Sequence, residues 1–305
     1  MGRAITERLV HTVLSLIAVT ILAFGIVRLT GDPVLAILPV DATKQDITRV
    51  RAELGLDQPI YVQYGRYMVQ LAHGDLGISY LTRTPVIDVI AQRLPATLQL
   101  GGAALLLVFG VGIPLGLYAA YWQGGWLDRS VGFGAVLGQS APQFWVGLLL
   151  ILVFAVHFRL VPAGGYGGFL FFILPAFTMA LASFAGITRL TRSSTIEVMA
   201  ADYVRFLRVK GLSDQVILWK HALRNAALPV LTLGGVVTAD LVTGSVVTET
   251  VFAWPGIGQL IINSIHARDF PVIQAVVLVF AVVYLGINLV VDITYIILNP
   301  RLRTH

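Results

Sequence analysis

The sequence predicts an all-α integral membrane protein with about six membrane-spanning helices. Of its 305 residues, 57% are hydrophobic and only 12% are charged, whereas soluble globular chains carry about 25% charged residues. Six stretches are long enough for a helix to cross the hydrocarbon core, which takes roughly 20 apolar residues. The sequence contains no cysteine, which excludes disulfides, thiolate nucleophiles and cysteine-based metal sites.

The six predicted spans follow one another along the chain and contain few charges. Charged residues are absent from the second and third spans, whereas the fifth contains Asp240 and the sixth contains Asp292 near its end. The first stretch follows two arginines, as a signal peptide would, but it is long for one and lacks an Ala-x-Ala cleavage pattern, so we expect it to be retained. The spans cover residues 9–29, 98–121, 131–158, 169–187, 226–247 and 272–297.

Lysine and arginine residues in the short loops predict the orientation. With the N-terminus inside, the inner segments hold most of these cations, including seven between Arg189 and Arg224, and the short outer loops hold only Arg159 and Arg268. Both termini are therefore predicted to be cytoplasmic. Because the cations lie at span ends and in loops, the net charge of +5 indicates contact with membrane lipid rather than with nucleic acid.

The long external loop, residues 30–97, is predicted to fold. Apolar periodicity indicates three short helices near residues 47–54, 60–71 and 85–90, the second of them capped by Asp57. Two interpretations stay open together: a compact cap on the membrane part, or a docking surface for an external partner.

The loop at residues 189–229 is far longer than a turn requires. Its pattern predicts an amphipathic helix, a turn at Gly211 and a second helix capped by Ser213. One interpretation is a helix lying on anionic lipid. The other is insertion into a groove on a partner protein, because an aromatic and aliphatic face is interrupted by a turn and acidic residues accompany the cations.

An ordered series of motifs extends over nearly the whole chain, and in it the sequence resembles the permease subunits of bacterial binding-protein-dependent ABC importers. The resemblance is to the branch of dipeptide, oligopeptide and nickel permeases. The sequence departs from the family pattern at Phe206 and Leu207, where small residues are usual, and at Asp240. The motifs are Gly31-Asp32-Pro33, Leu54-Gly55-Leu56-Asp57-Gln58-Pro59, Gly74-Asp75-Leu76-Gly77-Ile78-Ser79, Arg93-Leu94-Pro95-Ala96-Thr97, Asp202-Tyr203-Val204-Arg205, Lys210-Gly211-Leu212, His221-Ala222-Leu223-Arg224-Asn225, the stretch from Glu249 to Gly258, Arg268-Asp269-Phe270-Pro271 and Asn299-Pro300-Arg301.

The resemblance implies a multi-pass subunit of the bacterial cytoplasmic (inner) membrane with the type I ABC importer permease fold. It would form a pore with a homologous second permease and move peptides or peptide-like small solutes by alternating access. Two ATPase subunits and a periplasmic or surface-anchored solute-binding protein would complete the machine. The chain has no G-x-x-x-x-G-K-[ST] motif, so ATP and Mg are expected on the ATPases and no cofactor on this chain. Its three segments would be residues 1–29, 30–97 and 98–305.

The candidate functional residues fall into three groups. The turn that begins at Glu249 and ends at Gly258, called the outer turn, could seal the outer end of the pore, or act in gating or in contacting the binding protein, with Phe252 and Trp254 as anchors at the membrane interface. Asp240 could attract a cationic part of the substrate or pair with the second permease. The ATPase-coupling group is Ala201, Asp202, Tyr203, Arg205, Phe206, Lys210, Gly211 and Leu212; the translocation-path group is Asp240 and Glu249; the outer-turn group is Phe252, Trp254, Pro255, Gly256 and Gly258.

Other functions have weaker support in the sequence. A secondary transporter or channel without ATPase partners would need intramembrane charge pairs or repeated broken helices, and only Asp240 lies deep. Neither H-E-x-x-H nor G-x-S-x-G occurs, so an enzyme is not predicted. The histidines are isolated and predict no metal site. Gly112 and Gly116 predict close helix packing rather than a gate.

Overall fold

The computed structural model describes residues 2–30, 34, 38, 42–243 and 245–298, and its regular elements are helices. The motif residues 31–33 and 299–301 lie outside this part of the chain. In the first half the helices are α1 (Gly2–Thr30), α2 (Lys44–Glu53), α3 (Ile60–Ala72), α4 (Val86–Gly110), α5 (Gly112–Tyr121), α6 (Trp126–Ser140) and α7 (Gln143–Leu150), which continues as a π-helix (Ile151–His157). In the second half they are α8 (Leu170–Met199), α9 (Asp202–Val209), α10 (Asp214–Val216), which continues as a π-helix (Ile217–Ala222), α11 (Leu223–Thr243), α12 (Val246–Val251), α13 (Ile257–Ala267) and α14 (Phe270–Leu298).

The predicted number of about six spans is confirmed. Within the described chain, five helical runs are long and apolar enough to cross a membrane, and α6 with α7 adds a sixth if this bent pair is one broken span. The five runs are Thr6–Arg28, Val86–Tyr121, Leu170–Met199, Asp214–Val251 and Phe270–Thr294.

The third span is not the continuous helix that the sequence analysis predicted. Helices α6 and α7 meet at an angle of 107°. The break falls at Ala141, whose backbone is extended (φ −88°, ψ 132°), directly before Pro142. A residue that precedes proline is pushed out of the helical region because the proline ring clashes with it. Pro142 was the available signal for this break.

The external segment also differs from its predicted boundaries. The third short helix does not end before the membrane, because α4 runs unbroken from Val86 to Gly110. Pro59, not Asp57, holds the N-cap position of α3, and Ile60 at the start of that helix is 61% exposed. Gly55 follows the end of α2 with a φ of +63° that favours glycine.

Most of the predicted loop at residues 189–229 is helical. Helix α8 continues to Met199, and the run that begins at Asp214 leads through a π-helical stretch into α11. Helices α8 and α11 therefore extend into the predicted loop from its two ends, and α9 lies between them in the chain. That residues 189–229 face the cytoplasm stays a prediction.

Close packing of α5 on α8 stabilises the centre of the bundle. A Cβ on Gly116 would lie 2.6 Å from the carbonyl oxygen of Thr188, and one on Gly112 would lie 3.0 Å from its hydroxyl. These glycines let the two helices approach each other, as predicted from their spacing. They border a buried core to which α4, α8 and α11 contribute, with Leu100, Ile187 and Val230 among its members.

The two outermost spans lie side by side. Helix α1 packs along α14, and an ion pair of 2.9 Å joins Arg8, near the start of α1, to Asp292, near the end of α14. The beginning of the first span and the end of the last span therefore lie on the same side of the bundle. Which side faces the cytoplasm stays a prediction.

Candidate functional site

Helix α9, which contains the predicted coupling residues, has well-defined ends. Ala201 has an extended backbone before the first turn, and Asp202 begins the helix. Gly211 follows the C-cap Lys210 with a φ of +82°. This left-handed conformation is adopted readily by glycine, and its N–H bonds back to the carbonyl of Arg208. The predicted turn at Gly211 is thus present.

The two faces of α9 differ in what they contact. Val204 is fully buried and packs the helix onto the protein. On the opposite face, Tyr203, Phe206 and Val209 are exposed, by 37%, 58% and 85%. They are spaced three residues apart and form one apolar stripe. Val209 is the most exposed of the three and lies outside the predicted set of coupling residues.

Polar contacts connect α9 with two of the spans. The Asn225 side-chain amide at the start of α11 donates to the Tyr203 hydroxyl at 2.7 Å. Arg208 lies 3.4 Å from Asp214, which also accepts a hydrogen bond of 3.2 Å from the Tyr121 hydroxyl at the end of α5. The helix is therefore attached to α11 directly and to α5 through Asp214.

The predicted charged residues of this helix have exposed side chains. Asp202 and Arg205 form a loose surface pair at 3.8 Å, with side chains 99% and 78% exposed. Such pairs contribute little to stability, because water screens them. Lys210 Nζ lies 4.5 Å above the Phe206 ring, and Leu212 is half-buried after the glycine turn. Both charges of the Asp202–Arg205 pair remain accessible to a partner.

The outer turn, residues 249–258, is organised around the carboxylate of Glu249. This side chain is fully buried. It accepts hydrogen bonds from the hydroxyls of Thr97 (2.8 Å) and Ser245 (2.7 Å) and from the backbone N–H of Gln259 (3.0 Å). The Thr97 hydroxyl in turn accepts from the N–H of Ile257 at 2.8 Å. The network joins α4 and α13 to the α12 region.

Two glycines leave room for this carboxylate. A Cβ on Gly256 would lie 2.4 Å from the Glu249 carboxyl group, and one on Gly258 would lie 2.5 Å from the Cα of Val246. In this structure Glu249 is enclosed and lines no open path. Its predicted role in translocation stays a prediction, whereas its contacts show that it holds the outer turn together.

The aromatic residues of the turn lie inside the protein rather than at the membrane interface. Phe252 and Trp254 are 1% and 0% exposed, so their predicted role as interface anchors is wrong. The Trp254 indole donates to the carbonyl of Ala96 at 2.9 Å and packs edge-to-face on Tyr166 and Phe172. These contacts hold the aromatic residues of the turn inside the protein. Pro255, which follows Trp254, is half-buried.

Asp240 lies on a face of α11 that the rest of this chain leaves open. Its residue is exposed, and so are Val236, Thr232, Pro229 and Asn225, which precede it at intervals of three or four along the same helix. Since a carboxylate is costly in lipid, this partly polar face is suited to water or to another protein. Asp240 is not among the hydrogen-bond partners of Glu249 in the described part of the chain.

A second buried carboxylate was missed by the sequence analysis. Asp269 is 2% exposed and accepts hydrogen bonds from the Ser79 hydroxyl (2.5 Å) and from the backbone N–H groups of Tyr80 (3.0 Å) and Leu81 (3.3 Å). It fastens the external segment to the start of α14. The motifs that end at Ser79 and begin at Arg268 were both identified in the sequence. A single sequence does not show that these two motifs are in contact.

Within the part of the chain that the structure describes, no group of three or more His, Asp or Glu side chains could hold a metal ion. The candidate site therefore consists of surfaces and packed turns: a protruding helix with an apolar stripe, an open face on α11 and a closed outer turn.

Two family descriptions match nearly the whole chain. Residues 112–304 match the family described as binding-protein-dependent transport system inner membrane component, and residues 1–101 match its N-terminal membrane component. The chain belongs to this family. It is therefore a transport component of the inner membrane and not an enzyme.

Relatives match the chain over its full length. A Brucella abortus protein named as a peptide transport system permease is 41% identical over 312 residues, which cover 99% of both chains. The glutathione transport system permease protein GsiC of Escherichia coli (strain K12) is 41% identical over 300 residues, which cover 98% of both. These matches confirm the predicted resemblance to ABC importer permeases.

A solved structure shares the fold. The chain resembles the MetNI methionine ABC transporter in its inward-facing conformation with a TM-score of 0.60, at 16% sequence identity. The match covers 70% of this chain and 97% of the other. The predicted type I ABC importer permease fold is thereby confirmed.

Proposed function

We propose that this chain is one of two permease subunits that form the translocation path of an ATP-driven importer of peptides or peptide-like solutes. The substrate class rests on the full-length relatives, which are named for peptide and glutathione transport. A homologous second permease, two ATPases and an external solute-binding protein complete the assembly. Both termini lie in the cytoplasm, and ATP and Mg bind to the ATPases.

The exposed stripe on α9 carries the proposal. Phe206 and Val209 present apolar side chains on a short helix that protrudes from the bundle. An apolar helix face of this kind is suited to a groove on a partner protein. In the proposed machine the groove belongs to an ATPase, and the exposed pair Asp202 and Arg205 sets the register of α9 in it.

Closure of the ATPase dimer would then move α9 as a unit. The Gly211 turn fixes the direction in which α9 leaves the following helix, and the contacts through Asn225 and Asp214 pass its movement to α11 and α5. Helix α11 bears the open face around Asp240, which we assign to the translocation path. The closed turn around Trp254 seals the outer end in this conformation.

The experiment that tests this proposal compares two variants of Gly211. Valine is strained at a φ of +82° because it is β-branched, whereas asparagine tolerates left-handed backbone. No atom lies within 4 Å of a Cβ placed on Gly211, so the two variants differ mainly in backbone strain. We expect Gly211→Val to lower substrate uptake per ATP hydrolysed in proteoliposomes, and Gly211→Asn to preserve it.

A second measurement tests the docking step alone. Val209→Asp places a charge on the most exposed residue of the apolar stripe, at its C-terminal end, and should reduce co-purification of the ATPases with this chain. Ile60→Asp, at an exposed apolar position of α3 outside the candidate spans, controls for added charge. ATPase recovery that is equal in both variants, or full coupling in Gly211→Val, would contradict the proposal.

A further inference from the structure

A cavity of about 510 Å³ lies between the external helices and the ends of two spans. One wall is the last turn of the first span, with Phe24 and Arg28, and another is the start of α14, with Phe270. The end of α2 with the turn after it, helix α3 and the segment that follows α3 form the remaining sides. The cavity is separate from α9, from the open face of α11 and from the outer turn.

Two polar atoms of α3 have no hydrogen-bond partner within the part of the chain that the structure describes. Gln63 and Tyr67 stand four residues apart and so share one face of the helix. The Gln63 amide nitrogen donates to two backbone carbonyls, those of Leu56 (3.2 Å) and Gln58 (2.7 Å), which orients its oxygen. That Oε1 atom and the Tyr67 hydroxyl are both buried and unpaired. An unpaired buried polar atom costs free energy, and the cost is removed when a ligand supplies the missing partner.

The surroundings of these two atoms carry both signs of charge. Burial raises the pKa of Tyr67 to about 12, with a smaller contribution from Tyr64. The carboxylates of Glu53 and Asp75 and the guanidinium of Arg66 also line the cavity. A zwitterionic ligand would find both an acceptor-rich region for a cation and a cationic partner for an anion.

The position of the cavity points to lipid as the source of such a ligand. The first span ends at Arg28 and the last begins at Phe270, so the two ends that line the cavity lie at the boundary between hydrocarbon and headgroups. Helix α3 exposes Tyr61 (74%) and Val69 (59%) beside this boundary, which suits a helix lying in the interface. This placement is the same whichever side of the membrane is external.

We propose that this cavity binds the headgroup of a phospholipid that carries a primary ammonium group, phosphatidylethanolamine. The ammonium has three N–H donors, and the Gln63 oxygen, the Tyr67 hydroxyl and a carboxylate of the wall are three acceptors for them. The phosphate faces the guanidinium of Arg66 in a charge-assisted contact. The trimethylammonium of phosphatidylcholine has no N–H and cannot satisfy the two orphan acceptors, so the site discriminates between the two headgroups.

The test measures lipid retention by the complete transporter, this chain with its partners, in native mass spectrometry. Dioleoyl phosphatidylethanolamine, phosphatidylcholine and phosphatidylglycerol are added in turn, so that only the headgroup differs. The wild type should retain phosphatidylethanolamine about tenfold more strongly than phosphatidylcholine, the difference that one hydrogen bond to a charged donor makes. Tyr67→Phe, which removes only the hydroxyl, and Gln63→Leu should each reduce this ratio severalfold.

The test includes a matched control variant and two competing ligands. Tyr61→Phe makes the same chemical change on an exposed position of α3 and should leave the ratio unchanged. Equal retention of phosphatidylethanolamine and phosphatidylcholine, or an unchanged ratio in Tyr67→Phe, would overturn the inference. Displacement of the lipid by a soluble dipeptide or by the solute-binding protein would assign the cavity to that ligand and overturn it as well. The ratio does not depend on transport, so it can fail without the proposed function failing.

Discussion

Replacement of Gly258 by alanine is the most direct perturbation of the outer turn. The new Cβ would lie 2.5 Å from the Cα of Val246, 2.8 Å from its backbone nitrogen and 2.9 Å from Oε2 of Glu249. Cβ atoms essentially never approach other atoms within 3.0 Å. Two of these neighbours are backbone atoms, so a change of rotamer cannot relieve the contact. The turn and α12 must separate.

Two effects contribute to the expected loss of stability. Overpacking of a tightly packed region costs about 1–3 kcal/mol. The separation also weakens the hydrogen bond of 3.0 Å from Gln259 N–H to Glu249, and a bond to a charged group contributes about 1.5–3 kcal/mol. Together they give about 2.5–6 kcal/mol, which corresponds to a melting temperature lower by roughly 5–24 °C at about 2–4 °C per kcal/mol.

Thermal unfolding of the purified transporter, followed by tryptophan fluorescence, measures this change because Trp254 lies in the turn. Gly65→Ala is the control: no atom lies within 4 Å of its Cβ position in α3, and alanine is favoured over glycine in a helix by about 1 kcal/mol. That variant should melt at the wild-type temperature or slightly above it. If Gly258→Ala melts within about 2 °C of this control, the steric reasoning is wrong.

Three further predictions use the same structure. Gly116→Ala would place a Cβ 2.6 Å from the carbonyl oxygen of Thr188 and should destabilise the chain by about 1–3 kcal/mol; unchanged thermal unfolding would contradict the close contact of α5 and α8. Asp240→Asn removes the charge from the open face of α11 and should reduce uptake of cationic substrates more than of neutral ones, whereas equal effects on both would remove Asp240 from substrate attraction. Asp269→Asn replaces a carboxylate that accepts from two backbone N–H groups with an amide, which also presents N–H donors to them. We expect tryptic cleavage after the exposed Arg83 to become faster; an unchanged cleavage rate would show that Asp269 does not hold this segment in place.

Local features of the sequence predicted much of the helical structure. Gly55 and Gly211 mark helix ends because each adopts a positive φ, and the spacing of Gly112 and Gly116 indicated the close crossing that the structure contains. The ordered motifs predicted the family, and the family comparison confirmed it. The break before Pro142 could also have been predicted, because the constraint of proline on the preceding residue is local.

The polarity of α9 was partly predictable. The amphipathic pattern indicated which residues protrude, since the period of a helix places Tyr203 and Phe206 on one face. It did not show that Val209 is the most exposed of them or that Asp214 connects α9 to Tyr121, because these facts depend on where the end of α5 lies. The Tyr121–Asp214 contact joins residues 93 positions apart.

By itself the sequence determined that this protein is a helical membrane permease, because hydropathy, loop charge and motif order are properties of the chain. Only the tertiary structure decided what its buried carboxylates do. Glu249 bonds to Thr97 across 152 positions and Asp269 to Ser79 across 190. A buried polar group must find a partner, but which partner comes within reach is set by how the helices pack. For that reason the sequence did not show that Glu249 is enclosed in the outer turn, and its role in translocation stays a prediction.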